Sequence, residues 1–151
     1  MPKNIGIIAL LVAFGLCGIS ILSFFRKDRL IEDDEIRTRL VAPDSPVTSL
    51  SGHFSLNMKS GEHQGVKGFW VSVISLSDNR EVFISEEFYR FRDTSFLFWE
   101  DNDVIWLYSG DSGTFFWVKE NSTWIKKVYS ENKDDVEIPP LLKQLRPNVF
   151  K

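Results

Sequence analysis

The sequence predicts a mainly β protein, in which an N-terminal single transmembrane helix precedes a small antiparallel β-meander of about seven strands and a short C-terminal helical turn. Three observations support this prediction. Ile5–Phe25 is an uncharged apolar run, apolar and polar residues alternate with period two after His53, and turn-forming residues recur between the alternating runs. With 151 residues, the chain is long enough for one globular domain and short for two. We divide it into a transmembrane anchor (1–27), a charged juxtamembrane segment with a Pro-rich linker (28–52), and an antiparallel β domain (53–151).

The first segment is predicted to be an uncleaved anchor. Residues 5–25 are 21 consecutive uncharged positions, and a helix of that length spans a hydrocarbon core of about 30 Å. A cleaved signal peptide has a shorter apolar stretch with a small-residue site after it. A lipoprotein needs a small residue before its cysteine, but Leu16 precedes Cys17. We therefore expect a single-pass protein of the cell membrane that contacts lipid through residues 5–25.

The side of the membrane on which the β domain lies stays open. Arg26, Lys27 and Arg29 follow the span and Lys3 alone precedes it, which favours a cytoplasmic domain because basic residues tend to stay inside. The short tail ahead of the span is, in contrast, a common layout for an exported, periplasmic domain. The two locations are about equally supported.

A charged segment and a linker are expected between the anchor and the β domain. Leu30, Ile36 and Leu40 lie at roughly helical spacing among charged residues, which predicts a short solvated helix. Pro43 and Pro46 then exclude a continuing helix and indicate a linker.

Seven short runs of aromatic and β-branched residues are predicted to be strands. Two-residue turns of Asp, Asn, Ser or Gly separate most of these runs, as in consecutive β-hairpins. The segment around His63 is expected to be a loop, and Pro139-Pro140 is expected to open a helical turn over Leu141–Leu145. The predicted strands are 54–58, 69–76, 82–85, 96–99, 104–109, 114–119 and 124–129.

The predicted pairing places four tryptophans on one face of the sheet. If every hairpin loop has two residues, Trp99 lies opposite Val104, and Trp106 lies opposite both Leu97 and Trp117. Lys119 then lies opposite Trp124. Because side chains alternate between faces, one face carries the following aromatic residues: Trp99, Trp106, Trp117, Trp124, Tyr108 and Phe115.

Two interpretations of this aromatic face compete. The simpler interpretation is that both faces are buried, since aromatic side chains in a small domain are usually core residues. The alternative is a partly exposed platform for a partner protein or a sugar. On that alternative Trp106 and Trp117 remain core residues, whereas Trp99 or Trp124 binds the partner. The candidate binding residues are Trp99, Trp106, Tyr108, Trp117 and Trp124.

Composition and motifs argue against several other functions. Beyond Phe25 the net charge is −4, which argues against nucleic acid as a partner. One cysteine and two histidines provide no zinc set and predict no metal or other cofactor. Neighbouring carboxylates, Glu86-Glu87 and Glu100–Asp103, are expected to be solvated turn residues rather than a glycosidase pair.

Gly110-Asp111-Ser112-Gly113 resembles the segment around the nucleophile of chymotrypsin-like serine proteases. Thr114, however, stands where that family has another glycine, and the family's histidine segment is missing. We expect a hairpin turn that needs a positive φ at Gly110 or Gly113, and no nucleophile at Ser112.

The sequence therefore predicts a membrane-tethered, non-catalytic binding module that holds or inhibits a protein partner. Its layout resembles small membrane-tethered accessory proteins of bacteria, among them immunity proteins that neutralise a toxin at the membrane. An accessory or structural subunit of a membrane complex is the main alternative, and a hydrolase of envelope polymers is a weaker one. An analogy of architecture is the only basis for the comparison with immunity proteins.

Overall fold

The computed structural model describes residues 34–150. The predicted membrane anchor, the contact of residues 5–25 with lipid and the first part of the juxtamembrane segment lie outside these residues. Within residues 34–150 no helix is long and apolar enough to cross a membrane. The chain divides between Arg37 and Thr38 into two units. Residues 34–39 are helical (α1), and the β domain described below belongs to the second unit.

Within the described residues, nine strands and two further short α-helices follow α1, with one turn of 3-10 helix at Asp101–Asp103. Their order confirms a mainly β, antiparallel domain with a helical turn at its C-terminal end. The strands are β1 (Leu40–Val41), β2 (Val47–Thr48), β3 (Phe54–His63), β4 (Val66–Ser75), β5 (Arg80–Arg90), β6 (Ser95–Glu100), β7 (Val104–Ser109), β8 (Gly113–Glu120) and β9 (Thr123–Val128), and the helices are α2 (Tyr129–Asn132) and α3 (Pro140–Leu145).

The strands form two antiparallel sheets that pack face to face. One has five strands in the order β1-β6-β7-β8-β9, and the other has four in the order β2-β3-β4-β5. Each sheet contains one of the two meanders, β6 to β9 and β3 to β5. The shared core takes side chains from both sheets, among them Leu56, Phe69, Val71, Leu97, Ile105 and Leu107.

The segment predicted as a linker joins the two sheets. β1 pairs with β6 through Leu40 and Val41, and β2 pairs with β3 through Val47 and Thr48. The Trp99 indole nitrogen donates a hydrogen bond of 2.9 Å to the Val47 carbonyl oxygen. This segment therefore closes one side of the two-sheet packing.

Two hairpin loops are one residue longer than predicted, and this changes the faces of the tryptophans. Glu100 pairs with Val104 across a three-residue loop, and Ser109 pairs with Gly113 across another. Trp106 consequently lies opposite Phe98 and Phe116. A one-residue slip exchanges the two faces of a strand. The predicted single face carrying Trp99, Trp106, Trp117 and Trp124 is therefore wrong.

The last hairpin has the predicted register. Glu120 pairs with Thr123 around a two-residue loop, and Lys119 lies opposite Trp124. Asn121 has a φ of 56°, which the short polar side chain of asparagine tolerates in a hairpin turn. The first hairpin also has a two-residue loop, because β3 and β4 continue to His63 and Val66 through the segment predicted to be a loop.

The C-terminal segment covers the outer face of the five-stranded sheet. Ile138, Leu141 and Leu142 are buried there. Tyr129 contacts the Trp106 ring, and Phe150 contacts the Tyr108 ring. α3 begins at Pro140, where the missing N–H of proline is tolerated in the first turn. The opposite side of the two-sheet packing, between β5 and β9, remains open.

Candidate binding cleft between two edge strands

A cleft separates the free edges of β5 and β9. β5 is the last strand of the four-stranded sheet and β9 is the last strand of the five-stranded sheet. Among residues 34–150 no strand pairs with the second edge of either one. The cleft between them has a volume of about 590 Å³, within the usual range for ligand sites. Its walls are Glu81–Glu87 on one side and Thr123–Lys126 on the other, with Trp117 between them.

The floor of the cleft is aromatic and rigid. The Phe83 ring lies 5.9 Å from the Trp124 ring and 6.5 Å from the Trp117 ring, measured between centroids. The Trp124 indole nitrogen donates a hydrogen bond of 2.9 Å to the Asp103 carbonyl oxygen. Burial of the ring and satisfaction of its N–H fix the position of Trp124. The two sheets therefore meet at the base of the cleft through aromatic contacts.

Two isoleucines in the lining of the cleft are exposed. Ile84 of β5 is 42% accessible and Ile125 of β9 is 41% accessible. A single exposed isoleucine is ordinary, but these two line the same cleft. The cleft therefore combines an aromatic floor with one exposed isoleucine on each of its two edge strands.

A β-bulge shapes the β5 wall. Trp70 pairs with Phe88 and Ser72 pairs with Ile84, so three residues of β5 stand opposite Val71 alone. The Val71 amide donates to the Ser85 hydroxyl oxygen at 3.0 Å, and that hydroxyl donates to the Glu87 carbonyl oxygen at 2.8 Å. The Ser85 side chain thus takes the place of a strand carbonyl in the ladder.

The bulge presents two carboxylates along the cleft. Glu86 and Glu87 are exposed within β5, so their predicted assignment to a turn is wrong. The Lys126 ammonium donates to Glu87 Oε1 at 2.5 Å and lies 4.1 Å from the centre of the Phe115 ring. Within the described chain the Glu86 carboxylate has no hydrogen bond and no ion pair. One wall therefore carries an unpaired negative charge.

The hydroxyl group of Tyr89 is buried within the electrostatic influence of Glu87. The Tyr89 hydroxyl has no hydrogen-bond partner among residues 34–150, although the residue is only 3% accessible. Burial raises the pKa of Tyr89, and the negative charge of Glu87 raises it further. The phenol is therefore neutral at physiological pH and keeps a proton available for donation.

The third carboxylate of the cleft, that of Glu81, already has two hydrogen-bond partners. The Glu81 carboxylate accepts hydrogen bonds from Lys59 Nζ at 2.9 Å and from the Ser72 hydroxyl at 2.8 Å. Burial favours the neutral form of Glu81, but these two bonds and the Lys59 charge outweigh it. The pKa of Glu81 consequently lies below its ordinary value.

The sequence-predicted site residues are divided between the two faces of the five-stranded sheet. Trp99, Trp117 and Trp124 belong to the core between the sheets, whereas Trp106 and Tyr108 lie under the C-terminal segment. All five are at most 7% accessible, as in the interpretation that both faces are buried. Trp117 and Trp124 nevertheless form part of the cleft.

A second cavity of about 410 Å³ lies beside the C-terminal segment. Trp106 and Phe116 line it from the sheet, and Ile138 and Pro139 line it from the chain that covers the sheet. This cavity lies between the sheet and the segment that packs on it, and no residue of the unpaired edge strands β5 and β9 lines it. The cleft between β5 and β9 is the stronger candidate.

The other residues considered for chemistry lie apart in the fold. Ser112 is in the β7–β8 turn, where its amide donates to the Ser109 hydroxyl, and His63 packs against Phe88 at the end of β3. Among residues 34–150 no group of three or more His, Cys, Asp or Glu side chains is arranged to hold a metal ion.

Sequence reasoning did not identify the residues that make the cleft distinctive. Ile84, Glu86 and Ile125 occur in runs that look like ordinary strand residues. Their role depends on which strands end the two sheets, and a hydrophobic pattern does not specify sheet order. The one available signal was the Glu86-Glu87 pair within a long β-type run, which is typical of a bulged edge strand.

Comparison with known proteins gives no match, whether to a protein-family model, a curated protein or a solved structure.

Proposed function

We propose that the chain is a non-catalytic binding module, tethered to the membrane by residues 5–25, that holds or inhibits a protein partner seated in the β5–β9 cleft. The observation that supports this proposal is the open cleft between two unpaired strand edges, with an aromatic floor and two exposed isoleucines. Free edges invite pairing with another chain, and exposed apolar side chains beside them provide area to bury.

The predicted tether would keep this cleft close to the membrane surface. The order of segments, with the apolar run first and the β domain last, is the part of the sequence that supports this. A module of this kind resembles an immunity-type protein in layout. Photo-crosslinking from the cleft would identify the partner.

Site-specific photo-crosslinking of the full chain in the cells that express it tests the proposal. A photoreactive amino acid placed at Ile84 or at Ile125 should capture one and the same protein, because both residues belong to the lining of the cleft, one on each strand. The matched control is Leu50, which is 70% accessible and lies outside the cleft.

The adduct from position 84 should be lost when Ile125 is replaced by Asp, because a charge on the opposite wall prevents apolar contact. The melting temperature of Ile125→Asp should remain close to that of the unmodified chain, since the side chain is exposed. Equal capture from Leu50, or no capture from either cleft position, would contradict the proposal.

A further inference from the structure

We infer that the occupant of the β5–β9 cleft is an extended polypeptide segment that carries basic side chains and adds as a strand to the free edge of β9. This inference rests on the proposed function, because it specifies the kind of partner that the cleft accepts. Three features of the cleft support it: the regularity of β9, the charge of the walls and the way in which the protein positions its own Lys126.

β9 is the better of the two edges for pairing. Its register with β8 is continuous over six residue pairs from Thr123 to Val128. The register between β4 and β5 is interrupted twice, between Trp70 and Ser72 and between Val73 and Ile74. Bulges disrupt the ladder and protect an edge against further pairing. An added strand could therefore pair with the regular edge of β9, whereas the bulged edge of β5 on the other side of the cleft is less suited to pairing.

The charge of the cleft favours a basic occupant. Its walls contain three carboxylates, those of Glu81, Glu86 and Glu87, and one ammonium group, that of Lys126. Glu81 and Glu87 already have cationic partners. Glu86 has none within residues 34–150 and is exposed. Complementary charge fixes the position of a partner and disfavours acidic alternatives.

Lys126 shows how a lysine fits this surface. Its ammonium group bonds Glu87 while lying over the Phe115 ring. Lys119 lies similarly over Phe54, 4.2 Å from the ring centre. The apolar stem of a lysine covers aromatic surface while its charge remains accessible to a carboxylate. A lysine on an added strand would place its ammonium group at Glu86, the cleft carboxylate that has no partner among residues 34–150.

Alternation along the added strand separates its two sets of side chains. One set faces β5, where the carboxylates lie, and the other lies on the side of Ile125. The expected occupant is therefore a segment in which basic and apolar residues alternate over about five to seven positions. Strand addition of this type obtains affinity from main-chain hydrogen bonds and specificity from alternate side chains.

Binding of three synthetic peptides to the full chain in nonionic detergent micelles tests the inference. The probes are heptapeptides in which valine alternates with lysine, serine or glutamate, and empty micelles provide the baseline. The lysine peptide should bind about three- to tenfold more tightly than the serine peptide. It should also slow amide hydrogen exchange at alternate residues of 123–128, because the amides that point away from β8 become hydrogen-bonded to the added strand.

Glu86→Gln should reduce the affinity for the lysine peptide about two- to fivefold and leave the affinity for the serine peptide unchanged. Glu86→Lys should reverse the preference toward the glutamate peptide. Glu62→Gln, at an exposed position of β3, is the matched control and should preserve the preference. Glu86 has no partner among residues 34–150 and Glu62 is exposed, so none of these variants should change the melting temperature by more than about 2 °C.

Failure of the inference can be distinguished from failure of the proposed function. Equal binding of the serine and lysine peptides would overturn the basic preference, and binding without slower exchange in β9 would overturn strand addition. If no peptide binds while crosslinks still form at positions 84 and 125, the occupant is not an extended segment and the proposed function survives. If those crosslinks are absent as well, the cleft is not a docking site.

Discussion

A single hydroxyl group maintains the bulge that shapes one wall of the cleft. The Ser85 side chain accepts from the Val71 amide and donates to the Glu87 carbonyl oxygen. The residue is 5% accessible and its bond to the Val71 amide is buried, so water cannot replace that bond. The sequence offered no reason to distinguish this serine from its neighbours, because its partners are set by a register interruption. Both the local backbone and the orientation of two glutamates depend on it.

Ser85→Ala should lower the free energy of unfolding by about 1–3 kcal/mol, because the variant leaves the buried Val71 amide without its hydrogen-bond partner. Denaturant unfolding of the purified chain measures this change. Ser112→Ala is the matched control, since Ser112 is exposed, and it should change stability by less than about 0.5 kcal/mol. Equal stability of the two variants would mean that the hydroxyl does not maintain the bulge.

Loop length is the property of the hairpins that determines which face each tryptophan occupies. The β8–β9 loop has the two residues that Asn121-Ser122 predicts. The β6–β7 loop has three, with Asn102 and Asp103 both at a positive φ. The sequence range of most strands was predictable, because the alternation of apolar and polar residues is a property of each strand by itself. The pairing register of the strands was harder to predict, because Asp101-Asn102-Asp103 is compatible with a loop of two residues and with a loop of three.

The two glycines of the β7–β8 turn should respond differently to substitution. Gly113 has a φ of 109°, which side chains rarely adopt, so Gly113→Ala should reduce stability by about 1–3 kcal/mol. Gly110 does not have a positive φ, and a methyl group there would lie 3.5 Å from the Thr94 carbonyl oxygen, an ordinary contact. Gly110→Ala should therefore change stability by less than about 1 kcal/mol. Chemical denaturation of both variants decides the matter, and a larger effect at Gly110 would contradict the assigned backbone conformation.

At the scale of the whole molecule, the β domain consists of two sheets with four outer edges, of which two are connected by the chain and two border an open cleft. One pair of edges, β1 and β2, is joined by the segment predicted to be a linker, and the other pair, β5 and β9, faces the cleft. The alternation of apolar and polar residues could not show that the strands divide into two sheets, because one continuous sheet and two stacked sheets have the same period of two. For the same reason the cleft could not be predicted, since it exists only once the sheets are stacked.

The C-terminal segment should be required for the stability of the whole domain. Leu142 is fully buried against the five-stranded sheet, so Leu142→Ala should reduce the free energy of unfolding by about 2–5 kcal/mol. Leu50→Ala is the control for the same chemical change at an exposed position, and its effect should be within about 0.5 kcal/mol. Thermal melts of both variants provide the measurement. A melting temperature for Leu142→Ala equal to that of the control would show that the segment is not part of the cooperative unit.

The way in which the chain enters the domain has a mechanical consequence. Tension transmitted from the N-terminal side is carried first by β1, which pairs over only two residues. It then reaches the turn in which Ala42 and Ser45 exchange two backbone hydrogen bonds. After that turn comes β2, where the Trp99 indole nitrogen donates a hydrogen bond to the Val47 carbonyl oxygen. Short terminal pairings open at lower free energy than core strands. We therefore expect the domain under load to open first at β1, then at the Ala42–Ser45 turn, and last at the Val47–Trp99 hydrogen bond.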